Sequence, residues 1–143
     1  MSVIVTDSGF QPDAWRGGFT PLAELRNRPW ATGLGVEFPC DADPSVLVPH
    51  LPAIGLLRIR FAHFTDPRGF ALAGELREMG YGGRLRAAGP VLACHYTLAR
   101  RAGFDEVEIS ADLALRQPEE HWRFRGNWHH GRFGSRMPAR ADA

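Results

Sequence analysis

Three consecutive stretches decide the fold. The run Ile54-Gly55-Leu56-Leu57-Arg58-Ile59-Arg60-Phe61 reads as a strand, continuous and apolar in its first half. Asp66-Pro67 then pairs an N-cap residue with a proline at the first helical position, and the helix it opens runs to about Met79. Phe70, Ala73 and Leu76 share one face of that helix, and Gly80, Gly82 and Gly83 end it. Leu85–Ala88 follows as a short strand. Strand, helix and strand joined by short loops imply parallel strands and a right-handed crossover.

The same rhythm extends outward. Upstream, Leu34–Phe38 reads as a strand, and Asp43-Pro44 caps a short helix that ends by Pro52. Downstream, Gly89-Pro90 is expected to open a helix with Val91, Leu92, His95, Leu98 and Ala102 facing inward, closed by Gly103. Val107–Ile109 supplies a further strand. The pattern predicts an α/β fold of consecutive βα units on a small, mainly parallel sheet, half-βα-barrel-like or doubly wound. Residues 1–133 are expected to form one domain. Its N-terminal segment 1–32 is irregular: Val3–Val5 suggests a strand, and Thr20-Pro21 looks like a helix start, with Leu22 and Leu25 as its apolar stripe and Pro29 as its stop. Glu119–Phe124 is read as one or two helical turns, and residues 134–143 as a disordered tail.

Composition narrows the function classes. With 143 residues and a formal net charge of +1, the chain has the size of one domain and no electrostatic pull toward nucleic acid or an anionic membrane. All 17 basic residues are Arg, so a Schiff-base lysine and a P-loop lysine are excluded, and anions must be met by guanidinium groups or backbone N–H groups. No apolar run approaches the roughly 18 residues of a membrane span. Met1-Ser2-Val3-Ile4-Val5-Thr6-Asp7 has no leader character, and Cys40 and Cys94 form no CxxC motif, so a cytoplasmic setting with free thiols is expected. Gly33-Leu34-Gly35 precedes a strand and Gly80-Tyr81-Gly82-Gly83 ends a helix. Neither is a nucleotide loop, and no cofactor is evident. His121 with the adjacent His129 and His130 lacks metal-ligand spacing, so no metal is expected.

Ligands of parallel α/β sheets bind at the carboxyl ends of the strands. That rule selects Cys40, Asp41 and Asp43; His63, Thr65, Asp66 and Arg68; Gly89; and Ser110 with Asp112. A helix starting after Gly89 would be uncapped. The amides of Val91 and Leu92, completed by Arg68, would then form a small pocket for a sulfite-, sulfate- or phosphate-like group. His63 is a candidate general acid or base, and Asp66 is the other candidate for a catalytic role. The structural alternative makes Asp66 a cap and Arg68 its partner. Cys94, near the start of the Gly89 helix, is read as a small buried residue. Trp128-His129-His130-Gly131-Arg132-Phe133 is an aromatic, Arg-rich candidate contact surface.

Phe61-Ala62-His63-Phe64-Thr65-Asp66-Pro67-Arg68-Gly69-Phe70, with Leu76-Arg77, Gly80-Tyr81, Leu85–Gly89 and Arg100–Asp105, resembles the bacterial domain-of-unknown-function family 934 over about residues 33–124. That family carries, from genomic association, the label of an oxidoreductase of sulfite reduction, and its members are commonly encoded beside assimilatory sulfite reductase. The resemblance carries Asp66 and Arg68 across. It departs at Gly89-Pro90-Val91-Leu92-Ala93-Cys94, where the family is expected to read Gly-Asp-Val-Leu-Arg-Asp. Three charged positions are missing, at Pro90, Ala93 and Cys94, which favours a binding or accessory role over catalysis. The resemblance thus implies an accessory protein of assimilatory sulfur metabolism, partnered by sulfite reductase or another enzyme of that chemistry. The alternatives are a catalytic oxidoreductase and a non-catalytic interaction module.

Overall fold

The computed structural model describes residues 2–27, 32–63 and 66–125. The predicted tail 134–143, Pro29, Phe64, Thr65 and the Trp128–Phe133 stretch lie outside these residues. Seven strands form one sheet: β1 (Ser2–Thr6), β2 (Gly9–Pro12), β3 (Thr20–Pro21), β4 (Leu34–Pro39), β5 (Ile54–Arg60), β6 (Arg84–Ala88) and β7 (Glu106–Ser110), in the spatial order β2-β1-β7-β6-β5-β4-β3. Strands β3 to β7 are parallel, and β1 and β2 add an antiparallel hairpin beside β7.

The parallel strands stand in chain order with no reversal. This is the half-barrel arrangement; a doubly wound sheet reverses its order at a switch point. Right-handed crossovers between successive neighbours put the connections on one face. That face carries Val36, Phe38, Leu57, Ile59, Leu85, Ala87, Val107 and Ile109, all buried in the main core. Against it pack Leu72, Ala73 and Leu76 of α1 (Pro67–Glu78), Tyr96 and Ala99 of α2 (Tyr96–Ala102), Leu113 of α3 (Ala111–Arg116) and Trp122 of α4 (Glu119–Arg125).

The caps behave as their chemistry demands. Asp66 accepts from the Arg68 amide at 3.0 Å, and Asp43 from the Ser45 amide at 3.0 Å. The segment Asp43 caps, Pro44–Ala53, is a 3₁₀ helix, because Pro49 and Pro52 each remove a backbone donor. Two expectations need correction. Thr20-Pro21 does not start a helix but pairs with β4 as an edge strand, and the helix after it, Leu22–Asn27, is 3₁₀. Nor does a helix begin at Gly89-Pro90. Val91 and Leu92 are extended or irregular, a 3₁₀ turn spans Ala93–His95, and α2 starts at Tyr96. The inward face is therefore Ala93, Tyr96 and Ala99, while Leu98 is half exposed.

Residues 13–19 connect β2 to β3, the two opposite edges of the sheet. Six strand spacings measure roughly 29 Å along the sheet. Fully extended, the chain from Pro12 to Thr20 reaches about 27 Å. It also turns on itself, with Trp15 Nε1 donating to the Gly18 carbonyl at 2.8 Å. The strap can join both edges only because the sheet curls toward it, so it lies as a chord across the face opposite the helices.

Candidate functional site

The carboxyl ends of β4, β5, β6 and β7 bring Cys40, His63 with Asp66 and Arg68, Gly89 and Ser110 to one rim, as the parallel reading requires. Two separate arrangements occupy that rim. In the first, the Arg68 guanidinium grips Asp66 bidentately, Nε to Oδ1 at 3.0 Å and Nη2 to Oδ2 at 2.8 Å. The Cys40 thiol donates to Asp66 Oδ2 at 3.2 Å. The hydrogen bonds from Arg68 hold the Asp66 carboxyl far below the usual range. Burial, followed by the hydrogen bond to Asp66, pushes the Cys40 thiol up, so it stays protonated and donates. Asp66 is thus a cap and an ion-pair partner. The side chain of His63 is exposed on the same loop, and its carbonyl accepts the Asp66 amide at 3.1 Å.

The second arrangement surrounds Gly89. Its φ is +118°, and a Cβ there would lie 2.8 Å from the Phe61 carbonyl, so only glycine lets β6 turn this close to β5. The turn is tight: the Val91 amide donates back to the Gly89 carbonyl at 2.8 Å. The Ala93 amide is taken by Gln117 Oε1 at 2.8 Å. The Val91 amide is therefore not held out for a ligand, contrary to the sequence expectation, because the chain uses it to close the turn. Leu92 does line a cleft of about 410 Å³, with Gly89, Pro90, Ser2, Arg60, Glu108, Ser110 and Arg116 among the other lining residues. Arg68 is not among them. The structure brings Gly89 together with Arg60 and Arg116 instead.

Arg60 and Arg116 were not legible as site residues, and both are lightly held. Arg60 reaches Glu37 at 3.3 Å through Nε and through Nη2, and its side chain is 46% exposed. Arg116 meets Asp112 at 3.1 Å across one exposed helical turn. Glu108, the acidic member of the cleft, is already matched: Arg86 Nη1 at 2.9 Å, Arg58 Nη1 at 3.1 Å and Ser2 Oγ at 3.2 Å all donate to it.

Glu108 also belongs to a larger feature. The strap-side face of the sheet carries Glu37 on β4, Arg58 and Arg60 on β5, Arg84 and Arg86 on β6, and Glu106 and Glu108 on β7. Register sets Glu37, Arg58, Arg86 and Glu106 in one row across four strands. Neighbouring side chains on one face lie close enough to pair. Arg58 Nε meets Glu37 at 2.7 Å, and Arg86 Nε meets Glu106 at 2.7 Å. The signal was in the sequence, in the alternation Arg58-Ile59-Arg60, Arg84-Leu85-Arg86 and Glu106-Val107-Glu108.

Cys94 is exposed, not buried as expected, since the helix it was assigned to starts later. It lines a cavity of about 330 Å³ with Gln117, Glu120, His121 and Phe124. Among the described residues, no three His, Cys, Asp or Glu side chains are arranged to hold a metal ion, and no helix is long and apolar enough to cross a membrane. His129 and His130 lie outside the described residues.

Sequential parallel strands, a one-sided helical layer and a cleft at the carboxyl rim define the chain as a half-barrel-like α/β protein with its candidate site at the strand ends. Residues 35–138 match the family described as bacterial protein of unknown function (DUF934), and the chain belongs to that family. No curated protein and no solved structure shows significant similarity to it.

Proposed function

We propose that the chain is an accessory protein of assimilatory sulfur metabolism, associated with sulfite reduction, that binds a small oxyanion in the Gly89 cleft. One observation carries the binding reading: two guanidinium groups, Arg60 and Arg116, line a cleft at the strand ends while making only exposed or long contacts elsewhere. A guanidinium matches an oxyanion through two parallel N–H donors. Releasing Arg60 costs little, because Arg58 remains on Glu37. Glu108 does not repel the ligand, because Arg58, Arg86 and Ser2 already hold it. The turn at Gly89 keeps the cleft floor free of a side chain. Arg68, bound on both forks to Asp66, makes no contact but cancels the negative charge of that carboxylate at the same rim.

The pathway assignment rests on the likeness of the Phe61–Phe70 run to proteins encoded beside sulfite reductase. It is tested by deleting the gene and growing the strain on sulfate as sole sulfur source. The reading requires that growth fail without a reduced sulfur source and that a gene carrying Arg60→Ala and Arg116→Ala restore it poorly. Normal growth of the deletion strain on sulfate removes the assignment.

A further inference from the structure

The charge balance of the strap-side face is incomplete without the strap. Strands β4 to β7 place four guanidinium groups there, Arg58, Arg60, Arg84 and Arg86, against three carboxylates, Glu37, Glu106 and Glu108. The fourth carboxylate is Asp13, which comes from the strap and reaches the fully buried Arg86 at 3.2 and 3.3 Å. Those distances exceed the 2.7 and 2.9 Å that the sheet's own glutamates make to the same guanidinium. The other anchors of the strap are rings. Phe19 lies 3.7 Å from the Arg58 guanidinium carbon. Trp15 and the Gly18 carbonyl sit over Gly35, where a Cβ would overlap that carbonyl oxygen and come within 2.7 Å of the Trp15 Nε1, and the Trp15 ring lies 5.9 Å from Arg84. Gly17 and Gly18, the latter at φ +68°, let the strap turn between its two rings.

We propose that the strap is a displaceable occupant of a docking surface on this face. The partner it fits is an extended polypeptide segment bearing a carboxylate and, two residues on, an aromatic ring. The strap itself, Asp13-Ala14-Trp15, displays that pattern. The partner's carboxylate takes the place of Asp13 on Arg86, restoring the face to neutrality. Its ring and the backbone that follows take the seat over Gly35, which Trp15 and the Gly18 carbonyl now fill and a Cβ would close. The surface reads side chains only, because the segment crosses the strands instead of pairing along an edge. The two readings share Arg60 and Glu108 only in the charge count of the face: the segment's own contacts are with Arg86 and the seat over Gly35, neither of which holds the oxyanion.

The test uses the full chain and a fluorescein-labelled synthetic peptide of residues 12–20 as the competing segment. The strap in cis competes with the peptide at high effective concentration, so the wild-type chain binds it weakly. Asp13→Asn loosens the tether without altering the sheet, and it should bind the peptide at least tenfold more tightly in fluorescence anisotropy. A peptide with Asn in place of its own Asp should lose that gain. Tryptic cleavage after the exposed Arg16 should quicken in the same variant, because the strap must lift to enter the protease. Gly35→Ala, which closes the ring seat, should speed the cleavage yet fail to bind the peptide. Equal peptide binding by wild type and Asp13→Asn, or cleavage at Arg16 unchanged in both variants, overturns the proposal.

Discussion

Arg86 Nε lies 2.7 Å from Glu106 Oε2 on the adjacent strand, and the Arg86 side chain is wholly screened from solvent. Such a pair does not by itself argue for high stability, because desolvation offsets most of its attraction. Breaking it from one side is a different matter. Arg86→Leu strips one guanidinium from Glu106 and Glu108, which keep Arg84 and Arg58 respectively. The expected loss is about 1.5–3 kcal/mol in urea denaturation. The double variant Arg86→Leu with Glu106→Leu should lose clearly less than the sum of the two single changes.

Among the described residues, four carboxylates sit below their ordinary range in the folded state: Asp66, Glu37, Asp13 and Asp43, the last held down by the Ser45 amide. Arg68 lowers Asp66. For Glu37, burial acts upward but hydrogen bonds from Arg60 and Arg58 outweigh it. For Asp13, burial is likewise outweighed, by the Trp15 amide and Arg86. A carboxyl whose pKa is depressed on folding adds stability above its unfolded value, near 4, and loses that contribution as pH falls through the folded value. The urea midpoint should therefore hold between pH 6 and 8 and fall steadily below pH 4. Asp66→Asn should lower the midpoint at pH 7 and make its decline with acid shallower. An unchanged acid slope in that variant contradicts the assignment.

The two glycines Gly89 and Gly74 should respond in opposite directions to alanine. Gly89 has a positive φ and a carbonyl in the path of any Cβ, so Gly89→Ala is expected to cost about 1–3 kcal/mol. Gly74 lies inside α1 with no atom within 4 Å of its added methyl. There Gly74→Ala should stabilise by about 0.5–1 kcal/mol, because the unfolded chain loses freedom it need not surrender on folding. Thermal melts of the two variants check both signs.

The βα rhythm from residue 34 to 109 was legible because caps, glycine stops and short apolar runs are local signals. Asp43 and Asp66 announce their helices through side chains that reach only two residues ahead. The N-terminal segment was not legible. Pro12 and Pro21 each end a strand, β2 and β3, at opposite edges of the sheet, and the strap between them is held by residues of β4, β5 and β6 that are distant in sequence. The misplaced helix start at Gly89 has a comparable cause. Gly-Pro ahead of apolar residues looks like a helix entry, but Gln117, 24 residues downstream, takes the amide of Ala93 and fixes the start there. The site was legible as a rim and not as a set of ligands. Arg68 and Gly89 do share that rim, yet which arginine faces the glycine depends on strand curl and on α3, which no local pattern reports. The alternating Arg and Glu residues of β5, β6 and β7 were visible, and they mark a polar second face rather than strands buried on both sides.

Isothermal titration calorimetry with sulfite shows whether the Gly89 cleft holds an oxyanion through Arg60 and Arg116. Saturable binding to the wild-type chain is expected. Arg60→Ala and Arg116→Ala should each lose at least tenfold in affinity, and Arg68→Ala, which uncovers the Asp66 charge, should lose less. Binding that survives both cleft substitutions, or that vanishes only in Arg68→Ala, contradicts that assignment.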